Sequence, residues 1–352
     1  MSETMRIAVV GAGLIGKCHV QSIAAAGGAD LACIVDPSGA AKAFAQTCGV
    51  AWYSNLDEMF RKTRVDGAIL ATPSQLHGAG GLDCVARGCP VLVEKPLCST
   101  VADAEALVAA GRAAGVPILT GHHRRHGAVV KTAKSLIDGG ALGRVVSFHA
   151  TCWFHKPADY FDVAWRSQAG GGPLAINLIH DIDTALHLFG DVAHVQAMAG
   201  NQVRGGAMED TAAVLLRFES GVLGTLSVSD TAVSPWSWET TSGENPAYPV
   251  ASESCYWIGG TKGALSLPDM TLWRHHGEPS WVRPLSSEAQ DVETVDPLVA
   301  QIEQFVAVIR GEAEPLVSGQ DGLRTVQVIE AIRASITTGE RTEIDYGAPA
   351  AS

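Results

Sequence analysis

Arg6-Ile7-Ala8-Val9-Val10-Gly11-Ala12-Gly13-Leu14-Ile15-Gly16 joins a short apolar run to a glycine-spaced turn and then to an apolar helix pattern. Each glycine answers a steric demand. Gly11 permits the tight turn, Gly13 lets the backbone approach a pyrophosphate, and Gly16 lets the helix pack on the strand. The helix N-terminus offers free N–H groups and a favourable dipole to the anion, so Gly11, Gly13, Leu14, Ile15 and Gly16 form a candidate dinucleotide loop. Asp36 ends the next apolar run, 20 residues after Gly16. A carboxylate there accepts hydrogen bonds from the adenosine ribose diol and repels the extra phosphate of NADP. Pro37 and Ser38 add no positive charge, so the reading favours NAD over NADP.

Working outward, the first 120 or so residues alternate strand-like runs with helical stretches, the pattern of repeated βαβ units and a parallel sheet. Strands are expected over 6–10, 31–35, 67–71, 91–93 and 117–120. Helices are expected near 14–26, 40–48, 56–62, 79–87 and 101–114, the last with Thr100 as its cap and Gly115 as its stop. Beyond residue 140 the runs 144–152, 195–199, 211–219, 222–230 and 264–267 read as strands without intervening helices, which predicts an antiparallel sheet. Residues 234–256 read as a long loop, and 297–310 and 319–338 as helices. The sequence therefore predicts an α/β Rossmann domain over 1–123 and an α+β substrate-binding and oligomerisation domain over 124–352 with a large, mainly antiparallel sheet. Its C-terminal helices could pack back on the first domain.

Composition removes several alternatives. The chain has 352 residues, a formal net charge of −12 and eight cysteines, with 47% hydrophobic and 18% charged residues. An acidic chain without clustered Lys and Arg is poorly suited to a phosphate backbone, so nucleic acid is not expected as a partner. No apolar run approaches the roughly 18 residues of a membrane helix, and the start has none of the zones of a signal peptide, which leaves the cytoplasm as the expected compartment. The cysteines are scattered without a CxxC pair, against a disulfide framework or a zinc site.

Three further segments carry a family resemblance. They are Ala71-Thr72-Pro73-Ser74-Gln75-Leu76-His77, Glu94-Lys95-Pro96, and Gly170-Gly171-Gly172-Pro173-Leu174 leading to Asn177, His180 and Asp183. With the glycine loop they make the chain resemble the glucose-fructose oxidoreductase, inositol dehydrogenase and rhizopine-catabolism (Gfo/Idh/MocA) family over nearly its whole length. The resemblance implies that Thr72, Pro73, His77, Glu94 and Lys95 surround the nicotinamide and its ribose, and that Lys95–Pro96 is a cis bond. It also implies that His180 serves as acid or base. Lys95, just beyond the fourth expected strand, can hydrogen-bond the substrate hydroxyl and take part in proton transfer, so Lys95 and His180 are the candidate catalytic pair. The family's carboxylate four residues before the histidine is replaced here by Ile176. Asn177 can orient a substrate but cannot relay a proton, and Asp183, three residues after His180, could fix its tautomer.

Gly121-His122-His123-Arg124-Arg125-His126 places two arginines and three histidines after the fifth expected strand. Together with Trp165-Arg166 they point to a small substrate met by Lys95, Arg124, Trp165, Arg166, Asn177 and His180, with two alternatives: it bears a carboxylate, or the arginines pair within the protein and the substrate is a neutral polyol or sugar. No carboxylate or cysteine completes the histidines as a metal site, so none is expected. The activity that follows is an NAD(P)-dependent dehydrogenase acting on a hydroxyl- or amino-bearing carbon. A redox-neutral enzyme retaining its NAD, of epimerase or glycoside-cleaving type, and a non-catalytic nucleotide-sensing regulator are the alternatives. The resemblance also implies a homodimer or homotetramer.

Overall fold

The computed structural model of the chain describes residues 4–168, 170–293 and 295–347, except for the side chains at 164 and 165. It divides into two compact units. The first takes in 1–126 and 295–326, the second 127–294 and 327–352.

In the first unit the elements are β1 (Met5–Val10), α1 (Leu14–Ala25), β2 (Ala29–Val35), α2 (Gly39–Thr47), β3 (Ala51–Tyr53), α3 (Leu56–Lys62), β4 (Gly67–Leu70), α4 (His77–Val85), β5 (Val91–Val93), α5 (Val101–Ala114) and β6 (Ile118–Thr120). The strands form one six-stranded sheet in the order β3-β2-β1-β4-β5-β6, and every pair is parallel. This is the expected Rossmann sheet with one strand more than the five read from the sequence. The extra edge strand, Ala51-Trp52-Tyr53, is three residues long, too short for any periodicity to announce it.

The pleat sends alternate residues of β1 to opposite layers. Ala8 and Val10 face a core that includes Met59, Leu107, Leu323 and Val326, whereas Ile7 and Val9 face one that includes Ile23, Ile302, Phe305 and Val306. The second layer depends on a helix from far along the chain. This stretch, Pro297–Ile309, is capped by the Asp296 carboxylate, which accepts from the backbone N–H groups of Leu298 and Val299, and it has proline at its first position. Its apolar stripe covers a sheet face that α1 alone leaves open. The second domain expected over 124–352 is therefore interrupted: 124–126 and 295–326 belong to the first unit.

The second unit begins with α6 (Ala128–Asp138), β7 (Val145–Trp153), α7 (Ile179–Phe189), β8 (Val192–Gly200), β9 (Thr211–Phe218), β10 (Leu223–Ser229) and a one-turn α8 (Trp238–Thr241). β11 (Tyr256–Gly260), β12 (Gly263–Leu267), β13 (Thr271–Arg274) and β14 (Ser286–Ala289) follow; after α9 (the Pro297–Ile309 helix above) come α10 (Gly319–Thr338), of which this unit has the part from Gln327 on, and β15 (Thr342–Glu343). These strands make a nine-stranded sheet ordered β14-β13-β12-β11-β7-β10-β9-β8-β15. It is largely antiparallel, as expected, but β7 and β10 pair in parallel. Along β9 burial alternates without a break, Ala212, Val214, Leu216 and Phe218 facing the core beside Ile179, Ile182 and Phe189 of α7. The other face keeps large apolar side chains in solvent, among them Leu215, Leu223, Trp257 and Trp273.

Phe305 is fully buried among residues of β1, β4 and β5. Phe305→Ala is expected to destabilise the first unit by about 3–5 kcal/mol, read as a lowered midpoint in urea unfolding followed by far-ultraviolet circular dichroism.

Candidate active site

The glycine loop lies where β1 hands over to α1. Gly11 adopts φ = 96°, in the left-handed region, and a Cβ on it would sit 2.5 Å from the carbonyl oxygen of Ala71. A Cβ on Gly16 would sit 2.0 Å from the carbonyl oxygen of Gly11. Any side chain at either position would drive the loop off the sheet. Around Gly13, by contrast, a Cβ would have no heavy atom within 4 Å, so that side of the backbone is open to a ligand. The first turn of α1 presents N–H groups with no carbonyl in their own helix to bond. Leu14 is exposed and Ile15 half-buried beside them.

Asp36 is fastened to this loop. Its Oδ2 accepts from the backbone N–H of Ala12 at 3.0 Å and its Oδ1 from that of Ser38 at 2.8 Å. Burial pushes its carboxyl up, but the bonds from Ala12 and from the backbone and hydroxyl of Ser38 together hold it below the ordinary carboxylate value. An ionised acceptor beside an open glycine backbone and a helix N-terminus is the donor and acceptor set an adenosine ribose and a pyrophosphate require, so the residues fit NAD.

Two strands along, the carboxyl end of β5 carries Glu94 and Lys95. Glu94 is 6% exposed, yet its carboxyl lies at about 2: burial pushes it up, and the hydrogen bond and charge of His19, followed by Lys95 and His123, more than offset that. Its Oε1 is 2.7 Å from His19 Nε2, and its Oε2 accepts from the backbone N–H of Lys95 at 3.1 Å. Lys95 itself is half-buried, and the Lys95–Pro96 bond is cis. His77, at the start of α4, is 1% exposed; Nδ1 lies 2.8 Å from the carbonyl oxygen of Pro96 and Nε2 2.8 Å from that of Thr72. Thr72 is half-buried and Pro73 exposed in the turn between them.

The basic segment after β6 folds as a single 3₁₀ turn, His123–His126. Burial pushes the His123 imidazole down to about 4, with Arg124 adding to the effect, so the ring is neutral at pH 7. Arg124 is 2% exposed. Arg125 forms an ion pair with Asp321 at 3.2 Å, which ties the turn to the start of α10. That arginine holds the chain together instead of offering its charge to a substrate.

The second unit carries the remaining candidates. A Cβ on Gly172 would overlap the Glu209 carboxylate at 2.2 Å, and Glu209 Oε1 accepts from the N–H of Leu174. The glycine run thus admits an acid that caps the following helix, which opens with a π-helical turn over Leu174–Leu178 before continuing as α7. Such turns recur at functional sites. Asn177 and His180 are each 7% exposed, and Asn177 Oδ1 has no hydrogen-bond partner among the described residues. Asp181 is fully buried and accepts from the hydroxyl of Tyr256; Asp183 is buried close by. Arg166 stacks 4.1 Å above the Tyr160 ring and donates to the Tyr160 carbonyl at 3.0 Å. The side chain of Trp165 lies outside the described residues. His19, Glu209 and the Asp181–Tyr256 pair escape sequence reading, since each depends on a partner remote in the chain; the only local sign of His19 is a histidine one turn past Gly16.

Residues 5–122 match the model of an oxidoreductase family with an NAD-binding Rossmann fold, and residues 130–266 match the GFO/IDH/MocA C-terminal domain. A 1,5-anhydro-D-fructose reductase of Ensifer adhaerens is 26% identical over 308 residues, 84% of each chain. An NAD(+)-dependent scyllo-inositol 2-dehydrogenase of Bacillus subtilis is 25% identical, covering 98% of both chains. Among solved structures, the WlbA dehydrogenase of Bordetella pertussis, crystallised with NADH and UDP-GlcNAcA, superposes with a TM-score of 0.79 at 24% identity, covering 97% of this chain and 99% of the other. With its glycine loop, its Glu94-Lys95-Pro96 turn and both domain types in order, the chain belongs to the Gfo/Idh/MocA family of NAD-binding oxidoreductases.

Proposed function

We propose that the chain is an NAD-dependent dehydrogenase of a small polyol or sugar, with Lys95 as the residue that meets the reacting hydroxyl. One observation carries this reading. Lys95 stands at the carboxyl end of β5, two strands from β1, on the same edge of the parallel sheet as the Gly11–Gly16 loop. At about 4.8 Å between strands, that offset is about 10 Å across the sheet. NAD, when bound, takes up the hydride removed from the alcohol carbon. The chain's part is to hold the alcohol: the Lys95 ammonium hydrogen-bonds the hydroxyl oxygen and steadies the negative charge growing there as the hydroxyl proton passes to a general base. Asp36 supports NAD over NADP, because a carboxylate repels a phosphate at the same ribose.

The relatives support hydroxyl chemistry by their names, which specify 1,5-anhydro-D-fructose and scyllo-inositol. A neutral substrate is favoured over a carboxylated one: of the two arginines after β6, Arg125 is paired with Asp321 and Arg124 is buried, and the guanidinium of Arg166 lies over Tyr160. His180 is proposed as the acid or base of the second unit. We further propose that the open face of the nine-stranded sheet is covered by a second copy of the chain, because Leu215, Leu223, Trp257 and Trp273 form an exposed apolar surface. The cytoplasm is the proposed compartment, in keeping with eight free cysteines; no helix among the described residues is long and apolar enough to cross a membrane.

Turnover is to be followed as NADH absorbance with NAD and, in separate reactions, scyllo-inositol, myo-inositol, 1,5-anhydro-D-glucitol and a uronic acid. A neutral polyol is expected to be oxidised and the uronic acid spared; the opposite preference would return the arginines to the substrate. Lys95→Ala should lower kcat by about 10²–10⁴-fold while NADH still binds, and parent-like turnover would remove Lys95 from the chemistry. Asp36→Ser should narrow the preference for NAD over NADP by about tenfold or more in kcat/KM; an unchanged ratio places the discrimination elsewhere. Leu215→Glu should shift the light-scattering mass toward one chain, whereas a parent already of single-chain mass would refute the covered face.

A further inference from the structure

The working atom of Lys95 sits at the end of a flexible four-carbon stem, so its position is only as definite as the backbone from which it springs. That backbone is held on both sides. On one side the Glu94 carboxylate folds back, Oε2 accepting from the N–H of Lys95, while Oε1 is bonded to Nε2 of His19 on α1. On the other side the carbonyl of Pro96 meets Nδ1 of His77, whose Nε2 reaches the carbonyl of Thr72 in the turn after β4. Both histidines are almost wholly shielded from water, as is Glu94. In such surroundings a hydrogen bond faces little competition, and a lost one leaves its partner stranded.

We propose that His19 and His77 are a pair of positioning residues that fix Lys95 from opposite sides, His19 through the Glu94 carboxylate and His77 through the Pro96 carbonyl. The inference rests on the reading of Lys95 given above and deepens it. Both carboxylate oxygens of Glu94 are engaged within the protein, and both ring nitrogens of His77 face carbonyl oxygens, to one of which a single imidazole N–H donates, so these residues brace Lys95 from the positions around the nicotinamide that the resemblance implies. His19 adds a physical link: it lies one helical turn past Gly16, so the helix whose N-terminus faces the dinucleotide also braces the lysine. Across the sheet, His77 joins the turns that follow two neighbouring strands, β4 and β5.

The test reads Lys95 directly. Surface and site lysines are reductively methylated with ¹³C-formaldehyde, and the Lys95 dimethylamine signal is identified as the one lost in Lys95→Arg. NADH, the probe, is expected to move that signal in the parent. In His19→Leu and in His77→Leu, NADH should bind within about threefold of the parent while the movement of the Lys95 signal falls by at least half; His19→Gln, whose amide can still donate to Glu94, should restore it. A Lys95 signal that moves as far in both leucine variants as in the parent overturns the positioning role and leaves the role of Lys95 intact. If NADH binds the parent without moving the signal, or does not bind, the functional reading fails and the positioning role with it. Should a leucine variant prove unfolded by circular dichroism, Glu94→Gln keeps the side chain's shape while weakening the His19 bond. An undiminished Lys95 response in Glu94→Gln overturns the role of His19.

Discussion

A contact with no room for a Cβ governs the first unit: the backbone of Gly11 lies against the carbonyl of Ala71, and Gly16 lies against Gly11 in turn. Because these approaches leave no space for side chains, α1 enters tight against the sheet, with its N-terminus aimed along the strand ends. The position of Asp36 follows from the same packing, since one of its oxygens bonds the Ala12 amide inside the turn. His19 can reach Glu94 only because α1 is seated this closely. The dinucleotide loop, the ribose acceptor and the brace behind Lys95 are thus consequences of one steric arrangement, which an added methyl group would undo.

Much of this was legible in the sequence because it is local. A glycine triplet between a strand and a helix, an acid at the end of the next strand, and a Glu-Lys-Pro turn all sit within short windows, and the elements around them are strongly periodic. Residues 101–114 are an example: Thr100 does accept from the N–H of Asp103, as its spacing predicts. Pairing across long separations was not legible. The stretch 234–256 reads as loop, yet it contains the one-turn helix Trp238–Thr241 and the first residue of the strand Tyr256–Gly260, whose place between β12 and β7 depends on partners that no window of sequence contains. The helix Pro297–Ile309 is legible as a helix, and the expectation that C-terminal helices pack back on the first domain agrees with its place there, but which sheet face it covers depends on residues remote in the chain.

The basic cluster shows how composition misleads when burial is unknown. Read as residues, Arg124, Arg125 and the three histidines suggest a positive surface awaiting an anion. In the fold Arg124 and Arg125 are buried, one of them against Asp321, and His123 is kept uncharged by burial. The second unit has a similar economy in Arg204, which bonds the carboxylate and carbonyl of Asp230 and the carbonyl of Lys156 while lying over the Phe161 ring. Arg125 and Arg204, whose charges look available in the sequence, are committed to holding loops in place.

The return of α9 to the first sheet has a consequence for how the protein is made. A chain emerging from the ribosome exposes β1 to β6 early, but Ile302, Phe305 and Val306, which seal one face of that sheet, follow only after most of the second unit has been translated. At about 5–20 residues per second the interval is on the order of ten to forty seconds, during which an apolar sheet face lacks its cover. The nascent nucleotide-binding unit must therefore be shielded or remain loosely folded until synthesis nears its end, and truncation anywhere before α9 would leave a sticky fragment in place of a smaller working domain.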